Sequence, residues 1–194
     1  MTPQVSQNRQ VGTCLPPTDF ALLADPLGFI AEDHLREREI CALLDRIAAC
    51  ARAEGSAAPD AQDLDRALAF LQKELPLHLA DEEEDLFPLM RRCCEAEDEI
   101  GRVIERLLSD HHHALADTPE VIEVLNLLWD RAPLEAEAQL ISRYASHARR
   151  HLILENAVIL PIARLRLRAD DLDSLRLRMM QRRGLSSLAE LDNA

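Results

Sequence analysis

Two stretches of the chain carry the same chemistry. Residues 78–88 read HLADEEEDLFP and residues 151–161 read HLILENAVILP. In each, a glutamate follows the histidine by four residues and a proline follows it by ten. The residue before the proline is apolar both times, Phe87 and Leu160. Four residues is just over one helical turn, so His78 and Glu82 share a helix face, as do His151 and Glu155. An imidazole and a carboxylate one turn apart form half of a metal site. A repeated half-site points to two metals or one shared cluster.

Two further histidines extend the repeat. His34 precedes His78 by 44 residues and His111 precedes His151 by 40. An aspartate stands before each of these leading histidines, Asp33 and Asp110. A lone histidine on an apolar face is usually a satisfied core residue. Four in matching positions, two of them paired with glutamate, fit that reading poorly, because carboxylates buried without a cation are costly.

Helical spacing places all six residues on long amphipathic helices. Asp25-Pro26 starts the first and Gly55 stops it, with Leu27, Ile30, Cys41, Leu44 and Ala48 on the face of His34. The second is expected over about 61–90, with Leu64, Leu68, Leu71, Leu75, His78, Glu82, Leu86 and Leu89 as its stripe. Pro76 and Pro88 are expected to kink it or tighten it locally. After a turn at 91–98 the third runs over about 99–116, with Ile104, Leu107, Leu108, His111 and Leu115 inward. Thr118-Pro119 interrupts it before an apolar stretch to Trp129. The fourth opens at Pro133 and runs to about 167, with Tyr144, His151, Glu155 and Ile159 inward. A shorter fifth covers 171–183 and stops at Gly184. The expected architecture is all-α: an antiparallel up-down-up-down four-helix bundle with an additional short C-terminal helix. Residues 1–24 form a flexible lead-in, 25–168 the bundle, and 169–194 a helix and tail packing on it.

Composition agrees and excludes several functions. Ala, Leu, Glu and Arg dominate, and 194 residues suit one domain. A formal charge of −13 argues against nucleic acid as a partner. The acid is uneven: residues 1–90 hold 17 acidic and 7 basic side chains, residues 161–194 hold 5 and 7, so the arginines at 164–183 either dock a partner or cover a bundle face. No apolar leader or membrane-length segment is present, which sets the expectation of a cytoplasmic protein. Five cysteines without framework spacing fit a reducing compartment.

The order His34, His78xxxGlu82, His111, His151xxxGlu155 resembles the hemerythrin-like (HHE cation-binding) family, and LPLHLADEEEDLFP and HLILEN resemble its bacterial members most. The resemblance covers about residues 26–168. It implies a non-haem centre of two iron ions with an oxo or hydroxo bridge, inside a four-helix bundle. By position, His34, His78, His111 and His151 would be terminal ligands, and Glu82 and Glu155 would bridge. Zinc or manganese would suit the same donors. The family's oxygen carriers have a HxxxH pair on the third helix and an aspartate five residues after the last histidine. Here those positions hold Leu115 and Asn156. The pattern is closer to members with four histidines and two glutamates, associated with iron–sulfur repair, nitric oxide response and iron or oxygen sensing.

Three functions follow as expectations: a protein that binds, senses or reacts with O2, NO or peroxide; a di-iron enzyme of iron–sulfur repair or of NO or peroxide reduction; or a metal-free structural bundle. A protein partner would supply any sensory output. Other side chains have bland and sharp readings. His112 and His113 point sideways, though a phase shift would swap His112 for His111. His147 is a fifth ligand or, more simply, a core residue facing Glu74. Glu83 and Glu84 are solvated or support the ligands, and Asp81–Asp85 apart from Glu82 form a solvated face. Cys41 is a small core residue or a redox thiol near the cluster, and Cys93-Cys94 lie in a turn.

Overall fold

The computed structural model describes residues 19–52 and 57–186, and every regular element among them is helical. A short 3-10 turn, Phe20–Ala24, buries Leu23, so the last part of the lead-in is folded onto the protein. The first helix is Pro26–Ala49, extended by a 3-10 turn at Cys50–Arg52. Its expected stop, Gly55, lies outside the described residues. Asp25 occupies the cap position without a side-chain cap bond, and its carboxylate lies 3.6 Å from Arg164 instead. Asp60 does cap the second helix, accepting from the backbone N–H groups of Gln62 and Asp63. That helix runs over 61–93, the third is Ile100–Leu127, the fourth runs over 135–166, and the fifth is Ala169–Arg182. Gly184 stops the last in the left-handed region, at φ 74°.

The prolines act differently from expectation. Three turns are wound as π-helix: Phe70–Glu74, Asp81–Leu86 and Glu155–Ile159. Each is followed by an apolar residue and then a proline, at Leu75-Pro76, Phe87-Pro88 and Leu160-Pro161. The residue before the proline donates five residues back, Leu75 to Phe70, Phe87 to Glu82, and Leu160 to Glu155. A proline lacks the N–H for an ordinary helical bond, and its ring collides with the carbonyl four residues back. A turn widened by one residue relieves that collision without ending the helix. The prolines therefore widen the helix, where a kink or a local tightening was expected at Pro76 and Pro88. Pro119 does not interrupt the third helix at all. Beyond it Val121, Val124, Leu125 and Leu128 are buried. Burying four such side chains stabilises by about 6–12 kcal/mol, which exceeds the cost of about 3 kcal/mol for an internal proline.

Neighbouring helices run in opposite directions. Along the first helix, Asp25, His34 and Asp45 meet Arg164, Glu155 and Arg149 of the fourth in reverse order. Against the second, Arg36 pairs with Glu74 and Arg46 with Asp63. The third meets the fourth through Thr118 and Tyr144 and through His111 and His151. Two apolar clusters fill the interior. One is built from residues such as Leu44, Leu71, Leu125 and Ile141, the other from Ile30, Phe87, Leu107 and Ile159. On every long helix the histidine falls where one cluster gives way to the other. Leu115, expected inward, is exposed at the surface.

The fifth helix closes the second cluster with Leu175, Met179 and Met180. Its arginines are spent within the chain. Arg178 and Arg182 pair with Asp85, Arg182 and Arg183 pair with Asp81, and the Arg183 guanidinium lies 4.6 Å from the centre of the Phe29 ring. The acidic run is thus no solvated face: Asp81 and Asp85 are buried, and Glu84 alone of its non-ligating members is exposed and paired with Arg182.

Candidate metal centre

The four long helices bring all six predicted donors together. His34 comes from the first helix, His78 and Glu82 from the second, His111 from the third, and His151 and Glu155 from the fourth. All six are buried, the most accessible being His151 at 6 %. Glu155 opens its π turn and Glu82 is the second residue of its own, so each stays in helical register with the histidine one turn before it. The side chains form two groups that could each hold a metal ion. One is His34, His78, Glu82 and Glu155; the other is His111, His151, Glu82 and Glu155. The two carboxylates belong to both.

The spacing suits shared coordination. His34 Nε2 lies 3.3 Å from Glu82 Oε1 and 3.3 Å from Glu155 Oε2. His111 Nε2 lies 3.5 Å from Glu82 Oε2, and His151 Nε2 lies 3.0 Å from Glu155 Oε1. Donors at about 2.1 Å from one metal, at right angles, stand about 3 Å apart. The Nε2 atoms of His111 and His151 face each other at 3.1 Å, so one of the two must lack a proton.

Hydrogen bonding leaves room for a cation. Among the described residues, the buried side-chain atoms without a hydrogen-bond partner are His34 Nδ1, both ring nitrogens of His78, Glu82 Oε2, His151 Nδ1 and both oxygens of Glu155. All belong to this centre. Orphaned polar atoms in a sealed interior are costly, and their concentration in one place fits a bound ion. His111 is held from behind: its Nδ1 lies 2.7 Å from Glu83 Oε1. Asp33 Oδ2 stands 3.9 Å behind His78 Nδ1. A carboxylate hydrogen-bonded to the outer nitrogen, as Glu83 is to His111, orients a metal-binding imidazole, whereas Asp33 lies beyond hydrogen-bond length of His78.

Electrostatics divide the donors. Burial alone would lower His34 and His111, but Glu82 and Glu155 outweigh it and raise each to about 9. Burial, helped by the charge on His34, pushes His78 well below its usual range, so it stands neutral. Burial and the neighbouring Glu155 push Glu82 up to about 7. Glu155 is equally buried, yet His111 and His151 hold it well below the usual carboxylate range. Two carboxylates sharing one pocket separate in this way because both cannot keep full charge at little cost.

The other candidates lie outside both groups. His112 and His113 are exposed, and His113 Nδ1 bonds its own helix at Ser109 O. His147 is about one third exposed and faces Asp110 at 3.5 Å, not Glu74, which is taken by Arg36 from the first helix. Burial pushes the Cys41 thiol up to about 12, so it is an inert core residue. Cys93 ends the second helix with its Sγ 3.6 Å from Asp171. Sequence reasoning passed over one buried acid, Glu37, whose Oε2 lies 4.0 Å from His78 Nε2. Its signal was its place three residues after His34, on the same helix face.

Among the described residues no helix is long and apolar enough to cross a membrane. No curated protein and no solved structure matches the chain. A family model does: that of the hemerythrin HHE cation binding domain matches residues 25–163. With two histidine–glutamate half-sites meeting across this length of chain, the protein belongs to the hemerythrin HHE cation-binding family.

Proposed function

We propose that the chain is a dinuclear iron protein of up-down-up-down four-helix architecture that binds, senses or reacts with a small species such as O2, NO or peroxide. His34 and His78 would hold one metal, His111 and His151 the other, with Glu82 and Glu155 shared. One observation carries this reading: two four-donor groups have both carboxylates in common, and among the described residues the buried orphaned atoms are confined to them. Bound iron would supply a change of redox state and open coordination positions for a small ligand.

The chain's own part is to place and hold the donors. Neutral imidazoles and ionised carboxylates bind a cation, so His34 and His111 must give up protons on loading. Glu83 fixes the ring of His111, and the apolar clusters on either side keep water from the centre. A metal-free structural bundle is disfavoured by those same orphaned atoms, which no helix-packing need explains.

The experiment is to load the protein with iron, reduce it, mix it with O2 and follow its absorption, then degas. Two histidines and two shared carboxylates would hold each metal with four protein donors, which would leave room for a small ligand. We therefore expect oxidation of the iron by O2 or peroxide that degassing does not reverse. An oxygenated spectrum that vanishes under vacuum with recovery of the reduced state would overturn this reading in favour of an oxygen carrier.

A further inference from the structure

The duplication supplies its own comparison. Both half-sites wind as π-helix beyond the histidine, at Asp81–Leu86 and at Glu155–Ile159. Around Glu82 the first copy carries Asp81, Glu83, Glu84 and Asp85. Around Glu155 the second copy has Leu154, Asn156, Ala157 and Val158 in the same places. The second copy builds its histidine–glutamate pair without the four extra acids, so they serve another purpose. Glu83 faces inward and holds His111. The other three face the fifth helix.

Arg182 gathers all three. It pairs with Asp81, with Glu84 at 2.9 Å and with Asp85 at 2.8 Å. Arg183 adds a contact to Asp81 and Arg178 one to Asp85, and both of these carboxylates are buried. In the second copy the place of Asp81 belongs to Leu154, which packs on the second apolar cluster. The turn that carries Glu155 is thus fastened by packing, and the turn that carries Glu82 by ion pairs. Inner and outer acids share one six-residue turn, so a shift of the outer ones displaces Glu82 and Glu83 as well. A π turn is a rare winding, and a buried carboxylate that loses its cation is strongly destabilising. Arg182 ends the fifth helix, which lies beyond the family domain at residues 25–163.

We propose that Arg182 is a positioning residue for the metal centre. By gripping Asp81, Glu84 and Asp85 it holds the π turn in the register that brings Glu82 to both metals and Glu83 to His111. The planar fork of a guanidinium fixes several carboxylates in set directions, which the point charge of an ammonium does not. The inference rests on the six donors being metal ligands.

The test uses the iron-loaded full chain as wild type, Arg182→Lys, Arg182→Ala and Leu175→Ala. Leu175 is fully buried in the apolar cluster on the same helix, so its truncation loosens that helix without removing an ion pair. Metal content is measured first, then the absorption of the oxidised protein and the midpoint of chemical denaturation. The reduced protein is finally mixed with excess bipyridine, and the loss of iron is timed.

Arg182→Lys keeps a cation and should keep a midpoint near that of wild type, yet release iron about threefold or more faster, and Arg182→Ala about tenfold or more. Both should show an altered absorption spectrum. Leu175→Ala should lower the midpoint, keep the wild-type spectrum and release iron within about twofold of the wild-type rate. Where Arg182→Ala fails to fold, Arg182→Lys carries the test. Release from Arg182→Lys at the wild-type rate would overturn the proposal. Release from Leu175→Ala as fast as from the arginine variants would overturn it too, because the fifth helix would then be a general support. A wild type that takes up no metal would sink the reading of the six donors, and the proposal with it, whereas a loaded wild type indifferent to Arg182 sinks the proposal alone.

Discussion

Single side chains divide sharply here into donors and bystanders. His78→Ala or His151→Ala removes a donor from one four-membered group, and each should lose most of the bound metal. His113→Ala, at an exposed ring bonded to its own backbone, should retain it. Full retention in both donor variants, read by elemental analysis, would sink the assignment. The same side chains give a pH signature. In the metal-free protein His34 and His111 are raised to about 9 from an ordinary 6.5, and Glu82 to about 7 from 4.5. Groups raised on folding stabilise the fold fully below their unfolded values, and that contribution is lost as pH climbs through the folded ones. Below about pH 6.5 the loss at Glu82 is opposed by His78, which is lowered on folding and favours the fold as pH rises, so the metal-free fold should weaken mainly from about pH 6.5 to about pH 9. Metal binding requires the same protons to leave, so metal stabilisation should grow over that window. Melting temperatures of loaded and chelator-stripped protein should diverge as pH rises, and a constant gap would contradict this. The six donors were legible because a histidine–glutamate pair at helical spacing, repeated, has few other uses. Glu83 and Glu37 were less so. Their roles depend on which helix lies opposite, and one sequence does not print that. For the same reason Arg36, arriving from the first helix, displaced His147 from the partner expected for it at Glu74.

Helices and their ends decide how firmly the centre is closed. The fifth helix lays Arg182 and Arg183 on Asp81, which is fully buried beside Glu82. Replacing both arginines with alanine would leave that carboxylate buried without a cation. Loss of about 3–5 kcal/mol of unfolding free energy is expected, with much less for the double lysine variant. Chemical denaturation of the three proteins checks it, and equal midpoints would show that the contact is dispensable. This clasp was half legible. The surplus of arginine after residue 161 and of acid before residue 90 showed that opposite charges were available, but not that they meet within one chain. The π turns were hidden behind a correct observation. Pro76 and Pro88 disturb their helix as expected, and Pro161, of which nothing was expected, disturbs its own, but whether a helix kinks, tightens or widens is settled by what must be buried on either side. Residues Phe87 and Leu160, next to two of those prolines, are core residues, and a widened turn keeps them there. Pro119 was misread because its local cost was weighed without the four buried side chains that follow it.

Across the molecule, the polar centre is sealed between two apolar clusters to which all four long helices contribute. The all-helical architecture follows from composition and from stripes of 3.6-residue period, and the duplication follows from the spacing of the histidines. What the sequence left open was how the halves meet. The structure sets them face to face, so that each glutamate serves both groups. That sharing is the central claim, and it has a stoichiometric consequence: two ions per chain, neither retained well without both carboxylates. The most direct test is to express the protein with ample iron, purify it, and measure metal per chain by elemental analysis for wild type and Glu155→Gln. About two metal ions are expected in wild type, with most of both lost in the variant. One ion or none in wild type after reconstitution, or a variant that keeps a full complement, would contradict it.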